Sequence, residues 1–272
     1  MTGAHGRGQG WGRDAREDIA LIYAIANQKG GVGKTTTAIN LAASLAQAGE
    51  RVLLVDMDSQ ANASHGLGIR VAQGEPAILE VLMGERDLGS VIRATSVAGL
   101  DVAPSSSDMV GAGVLLPTLD DREFRLKRAL EALEPGRYSF VFIDCPPSLG
   151  LLTVNALVAA ESVLIPVQTE YFALEGLAQL LSTVSVIKDR LNPSLRVAGL
   201  VLTMVDLRTG LARQVEREIR SHFPSLTFNT VVPRNVRLAE APSHGIPVSM
   251  LDPRCSGSDA YFDLALEVIS HG

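Results

Sequence analysis

The segment NQKGGVGKTTT, residues 27–37, decides how this chain folds and what it binds. It closely matches the phosphate-binding loop, in which glycine, four variable residues and a second glycine precede lysine and then serine or threonine. The lysine and threonine of that pattern are Lys34 and Thr35, but Gln28 holds the first glycine position and a second lysine, Lys29, follows it. A second cation so close to the first requires a physical reason.

Length and composition indicate one large domain. The 272 residues are 46% hydrophobic, which is enough for a sizeable core. The net charge of −6 excludes a protein whose whole surface coats nucleic acid, but it is compatible with a local basic patch. The two cysteines, Cys145 and Cys255, form neither a disulfide framework nor a metal-binding pattern, so we expect a cytoplasmic protein.

The first 18 residues differ from the rest. The stretch MTGAHGRGQGWGRDARED mixes glycine with charge and has no apolar run, which predicts a flexible tail over 1–18 rather than a secretory signal. The remainder, 19–272, shows no internal linker and no repeat, and no stretch approaches the length of a membrane span.

Short apolar runs alternate with longer helix-period segments from residue 19 onward, which is typical of parallel strands joined by crossover helices. The predicted strands are 21–27, 51–58, 138–144, 162–168 and 196–205, with a weaker one at 99–106. The predicted helices are 35–48, 120–134, 173–191, 210–222 and 258–270. We therefore expect a single doubly wound, mostly parallel α/β sheet that binds its ligand at the carboxyl ends of the strands.

The quoted loop follows the first predicted strand and opens a helix, where an anion is expected. Its glycines let the backbone approach phosphate oxygens, Lys34 reaches the β- and γ-phosphates, and the Thr35 hydroxyl is placed for Mg²⁺. A glycine-rich turn without a ligand is the alternative, and the full spacing disfavours it. We expect nucleotide contacts along the whole loop: Lys29, Gly30, Gly31, Val32, Gly33, Lys34, Thr35 and Thr36.

Three acidic residues follow apolar runs. In VDMDSQANAS, Asp56 and Asp58 end a predicted strand two residues apart, so both should project from one face toward the phosphates. In VFIDCPPS, Asp144 ends another strand, as expected for the acid that holds metal-bound water. An isolated acid in such a position is more often a helix cap or turn residue. The combination with the loop favours a nucleotide site.

Five stretches resemble the ParA/Soj family of deviant Walker ATPases, which partition bacterial chromosomes and plasmids. They are KGGVGKTTT (29–37), VLLVDMDSQANAS (52–64), FIDCPPSLG (142–150), PVQTEYFALEG (166–176) and VPRNVRLAEAPSHG (232–245). The loop alone would indicate the wider group that includes MinD and the nitrogenase iron protein, and the later motifs narrow it. The resemblance runs from about Ile22 nearly to the carboxyl terminus. It implies a P-loop ATPase that uses ATP and Mg²⁺.

The resemblance also gives a reason for the second lysine. It implies that Lys29 crosses a homodimer interface and contacts the ATP bound by the partner, where about four negative charges offset its repulsion from Lys34. The alternative is an exposed lysine that only attracts phosphate in general. The resemblance further implies that Lys29, Lys34 and Asp58 are catalytic, with Asp58 orienting the attacking water. Thr35, Asp56 and Asp144 would serve Mg²⁺, the two acids chiefly through waters.

The choice of base is less directly encoded. TMVD, residues 203–206, places Met204 where guanine-selective relatives commonly carry lysine. The resemblance implies that Pro233, Arg234 and Asn235 lie against adenine, which favours ATP. A purely loop-closing role for Pro233 is the alternative.

A basic segment supports DNA binding despite the acidic whole. Residues 188–237 contain nine basic and four acidic side chains, a net charge of +5, which leaves −11 for the rest. The resemblance implies that Arg208 and Arg237 contact DNA. The predicted helix that contains Arg213, Arg217 and Arg220 has charges of both signs, so a DNA contact by these three residues stays undecided. We expect the ATP-bound dimer to bind double-stranded DNA non-specifically, in the nucleoid, and a ParB-type centromere-binding protein to stimulate hydrolysis.

Other classes compete with this interpretation. A MinD-like membrane switch would end in a basic amphipathic helix, whereas SDAYFDLALEVISHG carries Asp259, Asp263 and Glu267 and no lysine or arginine, so we expect no membrane binding. A redox ATPase like the nitrogenase iron protein would need cluster cysteines, and Cys145 and Cys255 do not occupy those positions. A ParA-like ATPase that positions cargo other than DNA has the same motifs and stays open.

Overall fold

The computed structural model describes residues 20–170, 173–206 and 208–271. The predicted tail, 1–18, lies outside them. The described residues form an eight-stranded sheet in the order β3-β4-β2-β5-β1-β6-β7-β8. Every pairing is parallel except β3 with β4. The strands are β1 Leu21–Ile25, β2 Val52–Asp56, β3 Arg93–Ala94, β4 Leu100–Ala103, β5 Phe140–Asp144, β6 Ser162–Gln168, β7 Arg196–Val205 and β8 Thr227–Pro233.

Helices cover both faces of this sheet and enclose two apolar cores, one on each face. The helices are α1 Lys34–Gln47, α2 Asn62–Gly66, α3 Ile78–Met83, α4 Leu88–Val91, α5 Ala112–Leu115, α6 Arg125–Glu131, α7 Leu151–Ala159, α8 Ala173–Arg190, α9 Gly210–His222, α10 Val236–Glu240, α11 Val248–Leu251 and α12 Ser256–His271. Three 3₁₀ turns cover Ser107–Gly111, Leu116–Thr118 and Ala241–His244. The predicted doubly wound, mostly parallel α/β fold is confirmed.

Most predicted elements are present within a few residues, and the largest differences have clear physical causes. The predicted helix 120–134 is shorter, since α6 spans only Arg125–Glu131. Helix α7 was not predicted because its sequence, LLTVNALVA, is apolar on nearly every side and therefore lacks the alternation that marks a surface helix. Strand β8 was not predicted because it lies at the end of the sheet, where four of its seven residues are only partly buried or exposed.

Two charged side chains cover the outer edge of β8. The Arg220 guanidinium on α9 donates to the carbonyl oxygens of Phe228 and Asn229 at 3.1 and 3.2 Å. The Glu267 carboxylate on α12 accepts from the N–H groups of Asn229 and Thr230 at 3.0 and 3.2 Å. An unpaired strand edge is a template for strand addition, so these bonds protect the sheet from further pairing.

The C-terminal helix α12 is docked on the domain. Tyr261 and Leu264 are buried in the core shared with α1 and β8, and the Tyr261 hydroxyl lies 3.1 Å from the Thr37 hydroxyl. Of the three acidic residues expected on its outer face, Asp259 and Asp263 are exposed, whereas Glu267 is partly buried against β8. Among the helices described by the structure, none is long and apolar enough to cross a membrane.

Gly199 on β7 is required by close packing rather than by its backbone angles. A Cβ at this position would lie 2.8 Å from the Leu226 carbonyl oxygen and 2.5 Å from the Phe228 ring. We expect Gly199→Ala to lower the free energy of unfolding by about 1–3 kcal/mol, because the backbone of the neighbouring strand would have to move. Urea denaturation measures the change.

Gly176→Ala is the matched control for this substitution. Gly176 lies within α8, and a Cβ there would meet no atom within 4 Å. Alanine should therefore stabilise the helix by about 0.5–1 kcal/mol. Equal stability of Gly199→Ala and the wild type would contradict the packing explanation.

Candidate nucleotide site

The glycine-rich loop connects β1 to α1 and opens toward solvent at the carboxyl edge of the sheet. Gly31 and Gly33 adopt left-handed backbone angles, with φ of 74° and 88°, which favour glycine. A Cβ on Gly30 or Gly31 would meet no atom within 4 Å, so the space in front of the loop can admit a ligand. Helix α1 begins at Lys34 with no side-chain cap, which leaves its first N–H groups available to an anion.

Two side chains, those of Asn27 and Thr203, hold the loop in place. The Asn27 amide donates to the Pro166 carbonyl oxygen at 2.7 Å, and its own oxygen accepts from the Lys29 N–H at 3.0 Å. The buried Thr203 hydroxyl, on β7, donates to the Val32 carbonyl oxygen at 2.8 Å. Asn27 and Thr203 were not predicted as site residues. Their polar side chains directly beside strand ends were the available signal.

Lys34 lies inside the loop. Only 7% of the residue is exposed, and its ammonium donates to the Lys29 carbonyl oxygen at 3.2 Å. Burial lowers the pKa of Lys34, and the nearby Asp144 carboxylate offsets part of that shift. A buried cation of this kind gains from a phosphate, which supplies the missing negative charge.

The Lys29 side chain, in contrast, points out of the loop. Its ammonium forms an ion pair with the Glu170 carboxylate at 2.6 Å, with 39% of the Lys29 side chain and 48% of the Glu170 side chain exposed. Glu170 was not predicted as a site residue, because no sequence pattern links positions 141 residues apart. The two lysines of the loop therefore have different environments in the free protein.

Asp56 and Asp144 end neighbouring parallel strands in register, which places the two carboxyl groups side by side. Asp56 is fully buried and accepts three hydrogen bonds, from the Ser64 N–H at 2.8 Å, the Ser64 hydroxyl at 2.7 Å and the Asp58 N–H at 3.1 Å. Burial raises the pKa of Asp56 to about 6 despite these donors. Ser64 is a second residue that sequence reasoning missed.

Asp144 has the least satisfied carboxyl group of the site. It is fully buried, and neither oxygen makes a hydrogen bond to any residue that the structure describes. Burial and the Asp56 carboxylate raise the pKa of Asp144 well above its usual value, and the Thr35 hydroxyl and Lys34 ammonium offset part of this shift. Two open carboxylate oxygens near a threonine hydroxyl suit a hard cation with oxygen ligands, so the residues present fit Mg²⁺.

The prediction that Asp58 ends a strand is wrong, because β2 ends at Asp56. Asp58 lies in the loop that follows, where its N–H donates to Asp56 and its carboxylate accepts from the Gln60 N–H at 3.0 Å. The register of the sheet stops at Asp56 because the chain turns there toward α2. Asp58 is partly exposed, as a residue that orients a water molecule would need to be.

A cleft of about 300 Å³ opens beside the loop. It is lined by Gly33, Met204, Pro233, Arg234 and Asn235 among others, so the residues predicted to contact adenine do share one cavity with the loop. Met204 has a left-handed backbone with φ of 51°, which is uncommon away from glycine and marks a functional site. The cleft has the size and position that a purine base next to the phosphates requires.

Asn235 also has a structural role. Its side-chain oxygen caps α10 by accepting from the Arg237 N–H at 2.8 Å, and its amide donates to the Ser256 hydroxyl at 3.0 Å. Another cleft, of about 350 Å³, lies elsewhere and includes Ala20, Tyr138 and Glu161. These residues precede β1, β5 and β6, so this cleft lies at the opposite edge of the sheet from the phosphate-binding loop.

Both arginines predicted to contact DNA already have acidic partners. Arg208, whose side chain is 91% exposed, forms a two-pronged ion pair with Asp206 at 2.8 Å. The pair holds the pKa of Asp206 at about 2. Arg237 contacts Glu240 at 2.8 Å and Asp252 at 3.4 Å.

Helix α9 adds a free basic surface. Arg213 and Arg217 are exposed one turn apart, and neither forms an ion pair with a residue within the described ranges. The third arginine of this helix, Arg220, is instead engaged at the edge of β8.

The parallel sheet, the loop between β1 and α1, the paired strand-end acids and the second lysine define a P-loop ATPase of the deviant Walker type. Comparison with known proteins agrees with this class. A family model described as an AAA domain matches residues 20–197. The cobyrinic acid a,c-diamide synthase of Mycobacterium smegmatis, solved with a bound ATP analogue and magnesium, superposes with a TM-score of 0.82 at 35% identity, over 93% of this chain and 96% of that one.

Sequence relatives identify the family within that class. The chain is 54% identical over 255 residues to the sporulation initiation inhibitor protein Soj of Bacillus subtilis. The aligned region covers 93% of this chain and 100% of Soj. It is 52% identical over 250 residues to the chromosome partitioning protein ParA of Caulobacter vibrioides, which covers 92% and 94%. The chain therefore belongs to the ParA/Soj family of chromosome-partitioning ATPases. The expected ATPase activity and the expected cofactors, ATP and Mg²⁺, are confirmed.

Asp144→Asn tests how much free energy of unfolding is lost when the buried Asp144 carboxyl group ionises. The folded pKa of Asp144 lies above its unfolded value, so the folded state binds more protons than the unfolded chain between the two values. Wild-type stability must therefore fall as pH rises through that interval. An amide has no such proton to lose. Without nucleotide, the free energy of unfolding of the variant should therefore rise relative to that of the wild type by up to about 1.4 kcal/mol per pH unit above about pH 4.

Urea unfolding of both proteins between about pH 4 and 8 measures this difference. The matched control is Asp263→Asn on the exposed face of α12, which replaces an acidic side chain far from the site. Parallel curves for Asp144→Asn and the wild type would contradict the assignment.

Proposed function

We propose that this protein is a DNA-partition ATPase that dimerises on binding ATP. The ATP-bound dimer binds double-stranded DNA without sequence preference, and a ParB-type centromere-binding partner stimulates hydrolysis. The observation that carries the proposal is the different placement of the two loop lysines. Lys34 is buried within its own loop, whereas Lys29 extends away from it to an exposed carboxylate.

Each residue of the loop region has a role in this proposal. The backbone N–H groups of residues 30–36 and the Lys34 ammonium hold the phosphates of ATP. Thr35 would hold Mg²⁺, and Asp144 and Asp56, the latter already bonded to Ser64, would reach it chiefly through waters. When bound, Mg²⁺ neutralises charge on the β- and γ-phosphates. Asp58 orients the attacking water.

The base would occupy the cleft beside the loop. Pro233 and Arg234 form one wall and Met204 another, so the adenine ring is held between two strand ends. Met204 replaces the lysine that guanine-selective relatives carry, which supports ATP over GTP.

Breaking the ion pair between Lys29 and Glu170, so that Lys29 can bind another anion, costs little free energy. Exposed pairs of this kind contribute about 0–1 kcal/mol, so a partner's triphosphate, with about four negative charges, would displace Glu170 readily. A diphosphate lacks the terminal group and attracts Lys29 less. ATP therefore favours the dimer, and hydrolysis releases it.

DNA binding in this proposal depends on joining two basic surfaces. Arg208 and Arg237 would contact phosphates, and the free, exposed arginines of α9, Arg213 and Arg217, extend the surface. A phosphate must compete with Asp206 for Arg208 and with Glu240 for Arg237, which keeps the affinity of one subunit low. Because binding free energy grows with the number of phosphates neutralised, a dimer binds DNA far better than a monomer.

The exposed surface of α12 carries apolar Phe262, Leu266 and Ile269, but the helix has no lysine or arginine, and this charge supports DNA over an anionic membrane as the surface on which the protein acts. Asp259 and Asp263 would be repelled by anionic lipid, and the opposite face of the helix is engaged in the core. Sedimentation with anionic liposomes in the presence of ATP tests the membrane alternative directly.

The central test compares oligomeric state and DNA binding in ATP, in ADP and without nucleotide. Asp58→Ala should form a stable dimer with ATP, seen by light scattering, and should bind duplex DNA with a strong dependence on salt. Lys29→Ala should bind ATP as a monomer and lose at least ten-fold in DNA affinity. Equal DNA affinity in the three nucleotide states, or normal dimerisation of Lys29→Ala, would refute the proposal.

Glu170→Gln should shift the protein toward the dimer. The substitution removes the acidic partner of Lys29 in each of the two subunits, which is worth at most about 1 kcal/mol per subunit, so the dimer should form up to about 30-fold more tightly in ATP. Analytical ultracentrifugation measures the dissociation constant. Glu175→Gln, on the exposed surface of α8, is the matched control. Weaker dimerisation of Glu170→Gln would instead assign Glu170 to the dimer contact itself.

A further inference from the structure

A cleft of about 350 Å³ lies at the amino ends of β1 and β5, at the opposite edge of the sheet from the nucleotide site. Its floor is apolar, and Leu130, Val141 and Val158 within it are each at most 8% exposed. The partly exposed Leu133 also lines it. This volume is within the usual range for a pocket that holds a small ligand or a large side chain. It is called the amino-edge cleft below.

The chain that precedes β1 starts at the cleft itself. Ala20, the first residue that the structure describes, is one of the lining residues, so residues 1–19 are attached at its wall. Trp11 lies nine residues before Ala20, and nine residues of extended chain span up to about 30 Å. Trp11 can therefore reach any part of the cleft.

Trp11 is the side chain in residues 1–19 that would gain most free energy from burial. It is the only tryptophan of the whole chain, and this segment contains no phenylalanine or tyrosine. Most of the other residues in the segment are glycine, charged or polar. An indole buries a large apolar area and keeps an N–H that donates to a polar group at the edge of a pocket. An apolar floor with carboxylates around it provides both environments.

The charges around the cleft also match the start of the chain. Five charged residues line it: Glu131, Glu134 and Glu161, with Lys127 and Arg137. None of the three glutamates forms an ion pair with a residue in the described ranges. Residues 1–13, in contrast, carry Arg7 and Arg13 and no acidic side chain. Burial raises the pKa of Glu161, so a further cation beside it would stabilise its charged form.

We propose that the amino-edge cleft binds residues 1–13 of its own chain, with the Trp11 indole against the apolar floor and Arg13 beside the glutamates. The covalent link makes the contact intramolecular, so the effective concentration of Trp11 at the cleft is in the millimolar range and a weak contact suffices. Only the residues next to Trp11 must be ordered, which limits the entropy cost. This contact is independent of the function proposed above.

Fluorescence of Trp11 tests the proposal directly, because no other tryptophan contributes. In the full-length protein the emission should be blue-shifted from that of a synthetic peptide of residues 1–18, and acrylamide should quench it about two-fold less or weaker still. Both values should be independent of protein concentration. Emission and quenching equal to those of the peptide would overturn the proposal, as expected if a small ligand or another protein occupies the cleft. Protection that grows with protein concentration would place Trp11 in a second copy and would also overturn it.

Leu133→Asp tests whether the amino-edge cleft is the binding site. A carboxylate in the apolar lining should return the emission and quenching of Trp11 to the values of the peptide. Leu211→Asp is the matched control, since Leu211 is a leucine exposed by 47% on α9, and it should leave Trp11 unchanged. Glu134→Lys is a milder second variant that should increase quenching in the same direction. Circular dichroism verifies that each variant is folded, and full protection of Trp11 in folded Leu133→Asp and Glu134→Lys would contradict the assignment.

Thermal unfolding gives a measurement that does not depend on fluorescence. Trp11→Ala should lower the Tm of the wild type and leave the Tm of Leu133→Asp unchanged, because the contact is already lost in that background. Equal decreases in the two backgrounds would show that Trp11 acts elsewhere in the protein, and the proposal would be wrong.

Discussion

The burial of Asp56 and Asp144 side by side is the constraint on which the rest of the site depends. Adjacent strands in register bring the two carboxyl groups together without water, and burial raises the pKa of both. The same burial lowers the pKa of Lys34. Burial therefore makes the charged form of each group less favourable, and a bound magnesium–nucleotide complex would stabilise these charges. Affinity for the ligand follows from this unsatisfied state.

Hydrogen bonds connect the buried acids and the phosphate-binding loop to the neighbouring strands. Asn27 and Thr203 connect the loop to β6 and β7, and Ser64 connects Asp56 to the segment after β4. These side chains are buried and make hydrogen bonds, so the loop cannot move independently of the strand ends. The site is consequently a rigid frame with two adjustable parts, the exposed Lys29 and the partly exposed Asp58.

Much of this arrangement could be predicted from the sequence, and the reasons for success and failure are physical. The phosphate-binding loop and the acids at strand ends are local patterns, and strands buried on both faces appear as continuous apolar runs, so the fold and the positions of Lys34 and Asp144 were predictable. The ion pair between Lys29 and Glu170 joins distant segments and has no local pattern. Asp58 was placed on a strand because apolar Met57 extends the run, although the sheet ends one residue earlier. The roles of Ser64 and Thr203 depend on tertiary contacts that composition cannot reveal.

The side chains that cover the edge of β8 matter when many copies of the protein lie close together. In the proposed function many copies gather along one DNA molecule, where subunits would meet often and an open strand would allow irreversible stacking into fibres. The guanidinium of Arg220 and the carboxylate of Glu267 occupy the backbone groups through which such stacking would start. Subunits that touch can then separate again without pairing through this strand.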